Sequence, residues 1–101
     1  MLRLMIVDDE QIIREALSSM IDYTSLGYEV IATAKNGMEA YDRIRDDYPD
    51  VVITDIKMPI LNGLELIERA SRIDSRITFI LLSGYGEFEY AKQAMTYGVR
   101  Y

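Results

Sequence analysis

Two short apolar runs, each ending in aspartate, constrain this chain more than any other feature. Leu4-Met5-Ile6-Val7 leads straight into Asp8-Asp9-Glu10, and Val51-Val52-Ile53 leads through Thr54 to Asp55, with Ile56-Lys57 and a Met58-Pro59 turn beyond. Uninterrupted apolar runs of this length read as strands buried on both faces, as parallel sheets require. In such sheets ligands bind beyond the carboxyl ends of the strands. Two strands therefore deliver acidic groups to one rim. Carboxylates crowded there repel one another unless a cation sits among them. Oxygen donors without cysteine or histidine suit magnesium or a similar hard ion.

The 101 residues suffice for one domain, and a hydrophobic fraction of 50% is ample for a core. The chain has no cysteine and no histidine. That removes disulfides, thiolate and imidazole metal sites, and serine–histidine or cysteine–histidine catalysis. No apolar run reaches the roughly 20 residues that cross a bilayer, and no basic-then-apolar leader opens the chain. The cytoplasm is the expected location. A net charge of −6 argues against this segment gripping DNA or anionic lipid itself.

Strand and helix alternate along the chain. Leu2 to Val7 is the first strand. Ile12, Ile13, Ala16, Leu17, Met20 and Ile21 recur at helical spacing and predict a helix from about Gln11 to Tyr23. Gly27 breaks the chain before a second strand over Tyr28 to Ala32. Asn36-Gly37-Met38-Glu39 is a capping signature, opening a helix that turns Ala40, Tyr41 and Ile44 inward and stops before Pro49. A third strand ends at Asp55. Asn62-Gly63-Leu64-Glu65 repeats the capping chemistry and opens a third helix carrying Leu66, Ile67, Ala70 and Ile73. Ile77 to Leu82 is the fourth strand. A turn over Ser83-Gly84-Tyr85-Gly86 and a helix from Glu87 to about Tyr97 follow, and Val99-Arg100-Tyr101 opens a fifth strand. Successive strands start roughly 22 to 26 residues apart, the spacing of parallel crossovers.

Asp8-Asp9-Glu10 after the first strand, Asp55 with Met58-Pro59 and Gly63 after the third, and Ser83-Gly84 after the fourth resemble the receiver domain of two-component response regulators. The resemblance runs along essentially the whole chain. Asp22-Tyr23 ahead of Leu26-Gly27-Tyr28, and the stretch from Ser83 to Lys92, are most similar to receivers of Gram-positive regulators with AraC-type DNA-binding halves. The resemblance implies an α/β fold, a flavodoxin-like doubly wound parallel sheet of order 2-1-3-4(-5). It implies Asp55 as phospho-acceptor, with Mg2+ held by Asp9, Asp55 and the backbone carbonyl of Lys57, and by Asp8 mostly through water. Ser83 would donate its hydroxyl to the phosphoryl group, and Lys57 and Tyr85 would tune its lifetime. The implied partner is a sensor histidine kinase, and DNA would be reached through an output domain beyond these residues.

Receivers carry a lysine at the end of strand five that holds the phosphoryl group, and Tyr101 falls short of that position. Residues 1–101 are thus expected to be one receiver domain truncated at its C-terminus, lacking the rest of strand five and helix five. Such a polypeptide should be marginally stable or self-associate, as a homodimer for instance, through an uncovered strand edge.

Rival readings exist. Asp8 and Asp9 could simply cap the first helix, and Asp55 could be an ordinary turn aspartate. A phosphatase-like enzyme with an aspartate nucleophile would carry Asp-x-Asp after the first strand, whereas here the pair is adjacent. A dinucleotide site would need Gly-x-Gly-x-x-Gly, which does not occur there. The expected protein is a switch rather than an enzyme. The alternative is a folded but phosphorylation-deficient scaffold, a pseudo-receiver.

Overall fold

A computed structural model of the protein describes residues 1–82. Four strands, β1 (Leu2–Val7), β2 (Tyr28–Ala34), β3 (Val51–Asp55) and β4 (Thr78–Leu82), form one parallel sheet in the order β2-β1-β3-β4. Three α-helices connect them: α1 (Gln11–Ser19), α2 (Gly37–Asp47) and α3 (Gly63–Ile73). The predicted fourth helix and fifth strand lie outside the described residues. The order 2-1-3-4 is the one expected.

Alternation along the central strands divides the core in two. Met5 and Val7 of β1, Val52 of β3, and Phe79 and Leu81 of β4 face α2 and α3, joining Ala40, Ile44, Leu66, Ile67 and Ala70 in the larger cluster. Leu4, Ile6, Val51 and Ile53 face the other way and pack with Tyr23. Leu4–Val7 of β1 and Val51–Ile53 of β3 are therefore buried on both faces, which is why these two stretches are apolar without a break. Leu66 and Ile67 are fully buried, and each such side chain contributes about 1.5–3 kcal/mol relative to exposure. That packing holds α3 in place more firmly than helix propensity could.

Both predicted caps form. Asn36 accepts a hydrogen bond from the backbone N–H of Glu39 at 2.8 Å. Asn62 accepts from Glu65 N–H at 2.9 Å, and the Glu65 carboxylate accepts from Asn62 N–H at 3.2 Å, completing a capping box.

Three expected boundaries shift. α1 ends at Ser19 rather than near Tyr23, and a 3-10 turn over Thr24–Leu26 follows. The Ser18 and Ser19 hydroxyls donate to the carbonyls of Arg14 and Glu15, both at 2.7 Å, a pattern that weakens a helix. Tyr23 then leaves the helical path to bury its ring on the sheet, with its hydroxyl donating to Leu17 O at 2.6 Å. Gly27, in the left-handed region at φ 87°, turns the chain into β2. The apolar recurrence along α1 is only half used: Ile12 and Met20 remain 80% and 83% exposed. β2 runs on to Ala34 instead of stopping at Ala32. A register shift opposite Leu4 and Met5 adds one residue, after which Thr33 and Ala34 still pair with Ile6 and Val7. β4 starts one residue late, at Thr78.

Gly63 fixes how closely α3 approaches the end of β3. A Cβ there would lie 2.4 Å from the carbonyl oxygen of Asp55, and Gly63 N–H donates to Ile56 O at 2.7 Å. The obstacle is backbone and cannot rotate aside. Gly63→Ala is therefore expected to destabilise the fold by about 1–3 kcal/mol, the usual range for overpacking. Urea denaturation should show the lower midpoint, and an unchanged midpoint would mean that the approach is looser than described.

Candidate metal and phosphoryl-acceptor site

The register of β1 against β3 assembles the site. Val7 pairs with Thr54, so the residues that follow, Asp8 and Asp55, emerge side by side at the carboxyl ends of adjacent strands. Asp9 follows on the turn into α1. One carboxylate oxygen from each of Asp8, Asp9 and Asp55 lies within 4.8 Å of the others. Asp8 is buried, at 2% exposure, Asp55 is half-buried and Asp9 is exposed.

Local hydrogen bonds set the first and last of these side chains. Asp8 Oδ1 accepts from Glu10 N–H at 2.9 Å, and Asp8 N–H donates to Ala34 O at 3.1 Å. Asp55 Oδ1 accepts from Ile56 N–H at 2.8 Å. Thr54, fully buried, donates its hydroxyl to Asp55 O at 3.0 Å. Neither Asp8 nor Asp9 caps α1. The N-cap residue is Glu10, with no side-chain cap bond, and Asp8 accepts from the N–H of Glu10 itself. Capping therefore does not account for the acidic pair.

Burial pushes the Asp8 carboxyl above its usual range. The neighbouring Asp9, by its charge and a shared hydrogen bond, pushes it the same way, while the bond from Glu10 N–H and the Arg14 guanidinium oppose the rise. A buried carboxylate facing a second one is an electrostatic burden that a cation would relieve. The donor set suits Mg2+: all oxygen, no nitrogen or sulfur. Oxygens on opposite sides of an octahedral Mg2+ are about 4 Å apart, so a cluster within 4.8 Å needs little rearrangement to share one ion.

Lys57 is exposed two residues past Asp55, on the segment leading to the Met58-Pro59 turn. Ile60, 75% exposed, has φ 73°, and Leu61 N–H donates to Pro59 O at 2.8 Å across it. This is a γ-turn centred on a β-branched residue, a strained arrangement at the rim of the site. Ser83 and Tyr85, the other expected site residues, lie outside the described residues. Arg14 is the participant that sequence reasoning missed. Its Nη1 donates to Asp8 O at 2.7 Å. The available signal was a basic residue one and a half helical turns beyond an acidic pair.

Comparison with known proteins agrees with this geometry. The chain is 48% identical, over its whole length, to the transcriptional regulatory protein YesN of Bacillus subtilis, and it spans 27% of that protein. Among solved structures, the receiver domain of AraT from Geobacillus stearothermophilus superposes with a TM-score of 0.91 at 37% identity, covering 97% of this chain and 76% of that one. A two-component transcriptional regulator AraC from Clostridium phytofermentans gives 0.87 at 34% identity, covering 93% and 73%. A family model for the response regulator receiver domain matches residues 4–101. With its sheet order, its acidic rim and this match, the chain belongs to the response regulator receiver domain family.

Proposed function

We propose that this receiver accepts a phosphoryl group on Asp55 from a sensor histidine kinase and thereby switches a DNA-binding output domain elsewhere in the protein. The observation that carries the reading is the convergence of Asp8, Asp9 and Asp55 at adjacent strand ends. The kinship to transcriptional regulators supports the output.

In this reading an Asp55 carboxylate oxygen attacks phosphorus. The bond from phosphorus to the imidazole nitrogen of the donor histidine breaks, the nitrogen keeps the electron pair, and an acyl phosphate forms on Asp55. The bond from Ile56 N–H holds the carboxylate in one orientation for in-line attack. Asp9, Asp55 and the Lys57 carbonyl would hold Mg2+, and Asp8 would act on it mostly through water. When bound, the ion supplies neutralisation of the charge gathering on the phosphoryl oxygens. Ser83 donates its hydroxyl to the phosphoryl group, and Lys57 and Tyr85 tune its lifetime.

Three expected outcomes test the proposal. Mg2+ at ten times its dissociation constant should stabilise the fold by about 1.4 kcal/mol through mass action. Asp9→Ala should abolish that stabilisation in a thermal melt, and persistence of the shift in the variant would refute the ligand assignment.

Incubation with acetyl phosphate and Mg2+ should add one phosphoryl mass to the intact protein and none to Asp55→Asn. Label surviving on Asp55→Asn would move the nucleophile elsewhere. No label on the wild type would favour the phosphorylation-deficient scaffold.

The raised Asp8 carboxyl has a signed consequence. A carboxyl whose folded pKa exceeds its unfolded value binds its proton more tightly when folded, so its ionisation costs stability as pH rises through that folded value. In metal-free buffer, Asp8→Asn, which can still accept from Glu10 N–H, should therefore melt above the wild type at pH 7. The gain should shrink as pH falls towards about 4. A variant that melts lower at pH 7 would contradict the raised carboxyl.

A further inference from the structure

The turn from β1 into α1 has three residues, Asp8, Asp9 and Glu10, and it must present Asp9 beside Asp55 against the repulsion of two other carboxylates. The exposed Asp9 is the member of the cluster with least packing around it. Asp8, by contrast, is fastened at every polar group: its N–H donates to Ala34 O, its carboxylate accepts from Glu10 N–H, and its carbonyl accepts from Arg14 Nη1 at 2.7 Å. The carbonyl of Asp8 and the nitrogen of Asp9 belong to one planar peptide. Fixing that oxygen fixes the plane from which Asp9 springs.

Arg14 is well placed for this task. It lies in α1, its own N–H donates to Glu10 O at 3.0 Å, and its side chain is half-buried. Its guanidinium reaches back past the turn and bonds a neutral carbonyl although carboxylates are close by. We propose that Arg14 is a positioning residue for the metal site, clamping the Asp8–Asp9 peptide so that Asp9 is held at the rim for Mg2+.

This inference rests on the Mg2+ reading of the cluster and makes a prediction opposite to that of simple charge balance. A guanidinium near the cluster repels a divalent cation, so if Arg14 acted only through its charge, removing it would tighten Mg2+ binding. If Arg14 positions Asp9, removing it weakens binding, as loss of a group that orients metal ligands does, by about tenfold or more.

The decisive measurement is Mg2+ affinity, taken from thermal-melt midpoints against MgCl2 at constant ionic strength, for wild type, Arg14→Met, Arg14→Lys and Asp9→Ala. Met keeps an apolar stem without charge or donors. Lys keeps the charge but lacks the planar fork. Arg14→Met should bind about tenfold more weakly or worse, with Arg14→Lys between it and the wild type. A smaller loss, no change or tighter binding in Arg14→Met overturns the proposal. Should Arg14→Met fail to fold without metal, Arg14→Lys decides: weaker binding supports the clamp, and wild-type affinity overturns it. A purely structural role would lower the metal-free melt of either variant without moving its Mg2+ affinity. A wild type that binds no Mg2+, or an Asp9→Ala variant that binds normally, defeats the functional reading itself and this inference with it.

Discussion

Repulsion among three carboxylates is the constraint around which the upper rim of this fold is organised. Asp8, Asp9 and Asp55 would separate in a free chain. They are held within 4.8 Å because β1 and β3 pair in parallel with Val7 opposite Thr54. That pairing is secured by side chains buried on both faces of the two strands. Hydrophobic burial, worth about 1.5–3 kcal/mol for each fully buried Leu or Ile, thus offsets an electrostatic arrangement that is unfavourable without a cation. The local bonds share the burden: Glu10 N–H serves the Asp8 carboxylate, and Ile56 N–H serves Asp55.

Much of this could be read before any coordinates. The apolar runs, the two Asn-Gly-x-Glu caps and the even strand spacing follow from periodicities of 2 and 3.6 and from capping chemistry, all of which are local. Sheet order, family and acidic rim follow from the motifs taken together. What was not legible depended on tertiary competition. The early end of α1 reflects Tyr23 preferring the sheet surface to another helical turn, and no periodicity encodes that choice. The longer β2 depends on a register shift against β1, a property of two strands rather than one. The role of Gly63 shows only when its missing Cβ is placed against Asp55 O. Arg14 escaped notice because its partner is a backbone carbonyl, so the basic residue type alone does not name what it binds.

Among the described residues, the two faces of the sheet are covered unequally. On one side α2 and α3 bury Ala40, Ile44, Leu66, Ile67 and Ala70 completely. On the other, α1 buries none of its own residues fully, and Tyr23 supplies the ring that closes over Leu4, Ile6, Val51 and Ile53. Among the described residues, the mechanical support of the site therefore comes chiefly from the α2–α3 side. Gly37 and Gly63 show how tight that support is. A Cβ on Gly37 would meet Leu61 O at 2.0 Å, and one on Gly63 would meet Asp55 O at 2.4 Å.

These two contacts pin the segment from Asp55 to Gly63 at both ends, and the consequence falls on what lies between. Ile56, Met58 and Leu61 are buried within it, while Ile60 is driven to φ 73° and left exposed. An isoleucine is a poor choice for that backbone, and glycine or asparagine would adopt it at less cost. The strain is tolerated because the neighbouring residues over-determine the path: Leu61 must reach the N-terminus of α2, and Gly63 must close on Asp55. A segment held this way has little slack. Any charge added at Asp55 would therefore meet a fixed backbone on the α3 side, and the nearest like charges are those of Asp8 and Asp9. Among the described residues, the least packed part of the rim is the turn after β1, where Asp9 is exposed and α1 buries none of its own residues. There the bond from Arg14 to Asp8 O acts together with those from Asp8 N–H to Ala34 O and from Glu10 N–H to the Asp8 carboxylate.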